Sequence, residues 1–127
     1  MADVVLVVDD NPINLKLVRV LLTGEGFDVR TAADAEEALA QLEVCRPRLI
    51  LMDLQLPGVD GFELARRLKA DPRHRSIAIV ALTAYAMRGD EGRARAAGCD
   101  GYVAKPIDVK TLAEVVRRHL DTAPEGA

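Results

Sequence analysis

Three carboxylates and a lysine stand where the sequence turns from apolar to polar. Val4–Val8 runs into Asp9 and Asp10, Leu49–Met52 runs into Asp53, and Tyr102–Ala104 runs into Lys105. Thr83 follows the apolar run Ile79–Leu82 and adds a hydroxyl. Short apolar runs bounded by turn residues read as buried parallel strands. A residue at the carboxyl end of such a strand lies on the sheet rim, where open α/β sheets bind their ligands. Acids gathered there repel one another, and a hard cation relieves the repulsion. Mg²⁺ suits such a site, because it takes one or two carboxylates and leaves room for water and phosphate oxygens. A lysine supplies a mobile point charge for an added phosphoryl group. Nucleophilic carboxylate, metal, cation and hydroxyl donor are together the parts of phosphoryl transfer to an aspartate.

These residues meet only if the intervening elements bring them together. Five strand candidates, Val4–Asp9, Asp28–Thr31, Leu49–Asp53, Ala78–Leu82 and Gly101–Ala104, alternate with five helical patterns. This β-α repetition predicts an α/β fold with helices on both faces of a parallel sheet. A doubly wound, flavodoxin-like sheet of five strands is expected to have the order 2-1-3-4-5. Strands 1 and 3 then flank the switch point, and Asp9, Asp10 and Asp53 converge there.

Helix starts are legible. Asn11 precedes Pro12, a residue suited to the first helical position. Asp34 with Glu37, and Asp60 with Glu63, have capping-box spacing, and Asp108 can cap the last helix. Gly24, Gly26 and Gly98 fall where helices should stop. The first helix carries two apolar stripes. Ile13, Leu17, Val20 and Leu21 are expected to face the sheet, which leaves Leu15, Val18 and Leu22 on roughly the opposite side. Leu15 and Val18, with Asn11 and Asn14 near the rim, are therefore candidates for docking a partner.

Bulk properties narrow the class. A chain of 127 residues predicts one domain, placed at residues 1–121 with a short flexible tail at 122–127. Its four aromatics leave the core to Val, Leu, Ile and Ala. A net charge of −3, with both signs interspersed, gives no support to nucleic-acid binding. No apolar stretch approaches the ~20 residues of a membrane span, and no secretory signal pattern opens the chain. Cys45 and Cys99 have no metal or redox spacing and read as reduced thiols of a cytoplasmic protein. His74 and His119 read as solvated, without a role.

The stretches VVDDNPIN (Val7–Asn14), LILMDLQLPGVDGFEL (Leu49–Leu64), ALTAYAMRGD (Ala81–Asp90) and AAGCDGYVAKPI (Ala96–Ile107) carry a resemblance. Together they resemble the receiver domain of bacterial two-component response regulators, over nearly the whole chain. The resemblance implies that Asp53 is the phosphoacceptor. It implies that Asp10 and Asp53 bind one Mg²⁺ directly, with Mn²⁺ as a substitute. Asp9 would act through water, and the Gln55 backbone carbonyl would be a further ligand. Lys105 would pair with the phosphoryl group, the Thr83 hydroxyl would move to bond it, and Tyr102 would be the switch aromatic. The Lys105–Pro106 bond would be cis. A histidine kinase or histidine phosphotransfer protein would be the donor, and an unnamed downstream protein the target. The domain would act as a monomer or weak dimer, away from nucleic acid and membrane. No core functional position departs from the pattern.

Two other classes use related parts. Phosphatases of the haloacid-dehalogenase type need two aspartates one residue apart on the first strand, with an inserted cap. Here the pair is adjacent, no insertion exists, and the apparent nucleophile is on strand 3. Flavodoxins share the expected fold, but Asp9-Asp10-Asn11 would repel the phosphate that their first loop cradles.

Overall fold

Each apolar run becomes a strand, and the amphipathic segments between them become helices. A computed structural model describes residues 3–54, 61–83, 90–104 and 108–122. The order is β1 (Val4–Val8), α1 (Pro12–Gly24), β2 (Asp28–Ala32), α2 (Ala35–Val44), β3 (Leu49–Asp53), α3 (Gly61–Ala70), β4 (Ala78–Thr83), α4 (Asp90–Ala96), β5 (Gly101–Ala104) and α5 (Val109–Thr122). All strands pair in parallel, in the order β2-β1-β3-β4-β5. The expected fold and strand order are therefore found. Strand ends differ from expectation by one residue: Asp9 lies just past β1, while Ala32 and Thr83 belong to β2 and β4. Residues 123–127 of the expected tail lie outside the described residues, and Thr122 is still helical.

Strand alternation divides the core into two layers. Leu6, Val8, Ile50, Met52, Ile79 and Ala81 pack under α2, α3 and α4. Val5, Val7, Leu49, Leu51, Val80 and Leu82 pack under α1 and α5. Both faces of the central strands are covered, which is why they read as unbroken apolar runs.

Caps fix where helices begin. The Asn11 side chain accepts from the Ile13 N–H at 2.9 Å, Asp34 from Glu37 N–H at 2.8 Å, and Asp108 from Lys110 and Thr111 N–H. Glu37 reaches back to the Ala33 N–H, one residue beyond the usual capping box. At the floor of the sheet, Arg48 donates to the Asp3 carboxylate at 3.0 Å and to the Leu120 carbonyl at 3.1 Å.

Helix α1 sits the other way round from the sequence expectation. Val18 and Leu22 are buried, and Leu15 and Leu21 pack on the same core layer. Ile13, Leu17 and Val20 are exposed at 75%, 41% and 65%. Leu15 and Val18 are therefore not exposed anchors. Both stripes have helical period, so periodicity alone does not choose between them. Leu21 lies between the two stripes and in the fold joins the buried one, so that Leu15, Val18, Leu21 and Leu22 span about 120° of the helix surface. The other stripe is narrower and is bordered by Lys16.

The histidines also depart from expectation. His119 is partly buried, with Nδ1 at 2.9 Å from the Val115 carbonyl and Nε2 at 3.0 Å from the Asp100 carbonyl. Gly101 makes room for the ring, since a β-carbon there would lie 2.5 Å from Nε2. His74 is largely covered beside Asp71, 3.5 Å from its carboxylate.

Candidate functional site

The register of the two central strands builds the site. Val5 pairs with Leu49 and Val8 with Met52, so the next step sets Asp9 alongside Asp53. By alternation both fall on the side of the sheet that carries α1. The Asp9 N–H still donates to the Ala32 carbonyl at 3.1 Å, and the Leu54 N–H donates to the Leu82 carbonyl at 3.0 Å. The backbone on either side of the acids is therefore held by neighbouring strands.

Asp9 and Asp53 are 1% and 2% exposed, the only charged residues in the core among those described, while Asp10 is exposed. One carboxylate oxygen from each of the three lies within 4.8 Å of the others. Asp9 is held on both oxygens: Oδ1 accepts the Asn11 N–H at 2.9 Å, and Oδ2 accepts from Asn14 Nδ2 at 3.3 Å. Oxygens from two buried carboxylates and one exposed one form a hard oxygen donor set. That set fits Mg²⁺, which needs few protein ligands and keeps its waters.

Helix α3 begins directly against the backbone that follows Asp53. The Gly61 N–H donates to the Leu54 carbonyl at 3.2 Å. A β-carbon at Gly61 would lie 2.6 Å from Leu54 Cα and 2.8 Å from the Asp53 carbonyl oxygen. Only glycine lets this helix start against the backbone that follows Asp53. Phe62 is buried beside it, with the Arg93 guanidinium of α4 at 4.2 Å from the ring centre.

The sequence candidates fall into three groups. Asp9, Asp10 and Asp53 come together, with Asn11 and Asn14 beside them. Thr83 ends β4, paired with Ala104, and is described in its backbone only. Tyr102 lies in β5 opposite Ala81, partly buried against the α2–α4 layer with its hydroxyl oxygen out of solvent. Lys105, Pro106 and Gln55 lie outside the described residues. Sequence reasoning missed Gly61 and gave Asn14 a docking role instead of a place beside the acids. Gly61 was detectable as a poor helix former in the first turn of a helix. Asn14 was visible as an amide at the third helical position, but its bond to Asp9 appears only once the chain folds.

A family model described as "Response regulator receiver domain" matches residues 5–117. The chain belongs to the response regulator receiver domain family. Receiver-domain relatives agree over its length. The polar-differentiation response regulator DivK of Brucella anthropi is 43% identical over 119 residues, covering 94% of this chain and 97% of that one. The chemotaxis response regulator CheY4 of Vibrio cholerae is 29% identical, with a TM-score of 0.88 over 94% of this chain and 99% of that one. The receiver domain of a sensor histidine kinase from Pseudomonas aeruginosa is 34% identical, with a TM-score of 0.88 over 96% of this chain and 100% of that one. That structure holds a magnesium ion coordinated in its active site cleft. As a receiver domain, the chain is a two-component signalling protein rather than a conventional metabolic enzyme. Among the described residues, no helix is long and apolar enough to cross a membrane.

Proposed function

We propose that Asp53 accepts a phosphoryl group from a histidine-phosphorylated protein, in a Mg²⁺-dependent reaction that switches a protein-binding surface. The observation that carries this reading is the in-step placement of buried Asp9 and Asp53, with Asp10 completing a cluster within 4.8 Å. Asp9, Asp10 and Asp53 would hold the ion, with the Gln55 carbonyl as a further ligand. Bound there, Mg²⁺ offsets the negative charge shared by the acceptor and the incoming phosphoryl oxygens. Asp53 attacks phosphorus as the P–N bond of the donor breaks, and the donor imidazole keeps that electron pair and takes up a proton. Burial of Asp53 limits water at the acceptor, and held strands keep its carboxylate in line. Lys105, next after β5, pairs with the transferred group. Thr83 moves in to bond it, and Tyr102 follows.

The donor is a histidine kinase or phosphotransfer protein. It docks on the exposed apolar stripe of α1, Ile13, Leu17 and Val20, with the exposed Asn11 at its rim end. The protein works in the cytoplasm as a monomer or weak dimer, and its only turnover is its own phosphorylation and slow hydrolysis.

Incubation with acetyl phosphate and Mg²⁺ tests the reading. Stoichiometric, base-labile labelling should appear and be absent in Asp53→Asn. Labelling of that variant would reject Asp53, and repeated turnover would reject a switch.

A further inference from the structure

The geometry points to Asn14 as a positioning residue for the metal site, acting through Asp9. In an ordinary capping box, the side chain at the third helical position accepts the N–H of the N-cap residue. Here the N-cap is Asn11, and its N–H goes instead to Asp9 Oδ1. Asn14 holds the third helical position, where side chains lean back toward the helix start. Its amide reaches Asp9 Oδ2 at 3.3 Å. An ionised carboxylate only accepts, so the amide nitrogen must face it.

The Asn11 N–H on Oδ1 and the Asn14 amide on Oδ2 together restrict rotation of the Asp9 carboxylate about its own axis. Asp9 is buried, so this orientation cannot be supplied by bulk solvent. Outer partners of this kind set ligand orientation and so affinity. Asn14 thus belongs with the acids rather than with the docking surface, and α1 is a wall of the metal site. This rests on the reading of Asp9 as part of the Mg²⁺ site.

The test is titration of the unphosphorylated protein with Mg²⁺ alone, by calorimetry or amide NMR shifts, in a double-mutant cycle with Asp9. Asn14→Ala should weaken Mg²⁺ about tenfold. Its Mg²⁺-free melting temperature should fall modestly, because the lost bond to a buried carboxylate outweighs the better helix propensity of alanine. A merely structural role would give that fall with Mg²⁺ affinity unchanged. Asp9→Asn and the Asp9→Asn/Asn14→Ala double variant should bind Mg²⁺ within about twofold of one another, the measure of sites that act as a unit. Unchanged affinity in Asn14→Ala, or a further large loss in the double variant, would overturn the assignment. A wild-type protein that binds no Mg²⁺ would overturn this and the proposed function together. Binding by wild type with no effect at Asn14 would overturn this alone.

Discussion

Gly61 lies against Leu54 so closely that a β-carbon on it would come 2.6 Å from the Leu54 α-carbon. The atom it would strike is backbone, next to the proposed acceptor Asp53, and cannot swing aside. Gly61→Ala therefore sets helix propensity, which favours alanine by about 1 kcal/mol, against overpacking at an immovable wall. The wall wins: stability should fall by about 1–3 kcal/mol. Acetyl phosphate labelling of Asp53 should slow as the Asp53–Leu54 backbone shifts. Calorimetry and a labelling time course check both, and a more stable variant would show that α3 relaxes freely.

If the donor docks on the exposed stripe of α1 as proposed, docking and chemistry can be separated by substitution there. Leu17→Asp should slow transfer from a histidine-phosphorylated protein while leaving acetyl phosphate labelling and melting temperature nearly unchanged. Val18→Asp, one residue along, buries a charge and should cost more than about 3 kcal/mol. Equal transfer rates for wild type and Leu17→Asp would remove this stripe from the interface.

Cys99 is buried, and burial first, then the Asp100 charge, push its thiol up to about 11, against a smaller opposing effect of Lys69. The folded pKa is raised, so the unfolded chain loses this proton first as pH rises. Stability is then full below pH 9 and declines toward pH 11, by at most about 1.4 kcal/mol per pH unit from this group. Cys99→Ala should lose that part of the decline in denaturant titrations. Cys45, half-exposed, is raised chiefly by burial, with Arg30 opposing. Iodoacetamide at pH 8 should label Cys45 well before Cys99, as mass spectrometry of the folded protein would report. Prompt labelling of Cys99 would mean that the layer under α4 opens readily.

The His119 ring occupies the space that Gly101 leaves empty. Gly101→Ala should break the contact of Nε2 with the Asp100 carbonyl and cost about 1–2 kcal/mol. In a His119→Ala background the same change should cost little, since the ring it collides with is gone. Additive costs in denaturant melts would refute the coupling.

Sheet and site were legible for one physical reason. Burial on both faces forces Val5–Val8, Leu49–Met52 and Ile79–Leu82 to be apolar, so the acids that end two of these runs stand out. Parallel order then brings Asp9 and Asp53 together. What escaped depends on closure between distant segments. The roll of α1 is set by which arc meets Val5 and Val7, and both arcs have the same period. His119 bonds carbonyls, which every residue carries, so nothing in sequence marks its partner 19 positions away. The Asn14–Asp9 bond spans a cap whose usual partners have been exchanged.

Arg48 has a consequence for how the molecule can be handled. By gripping both Asp3 and Leu120 just before β3 begins, it gathers the two ends of the fold at one pole. Asp53 closes the same strand about 16 Å away. A fluorophore, a surface tether or a fused protein attached through either end therefore hangs clear of the acids and of the rim end of α1. The same proximity lets a short peptide splice the ends, so that the chain can be circularly permuted and reopened elsewhere.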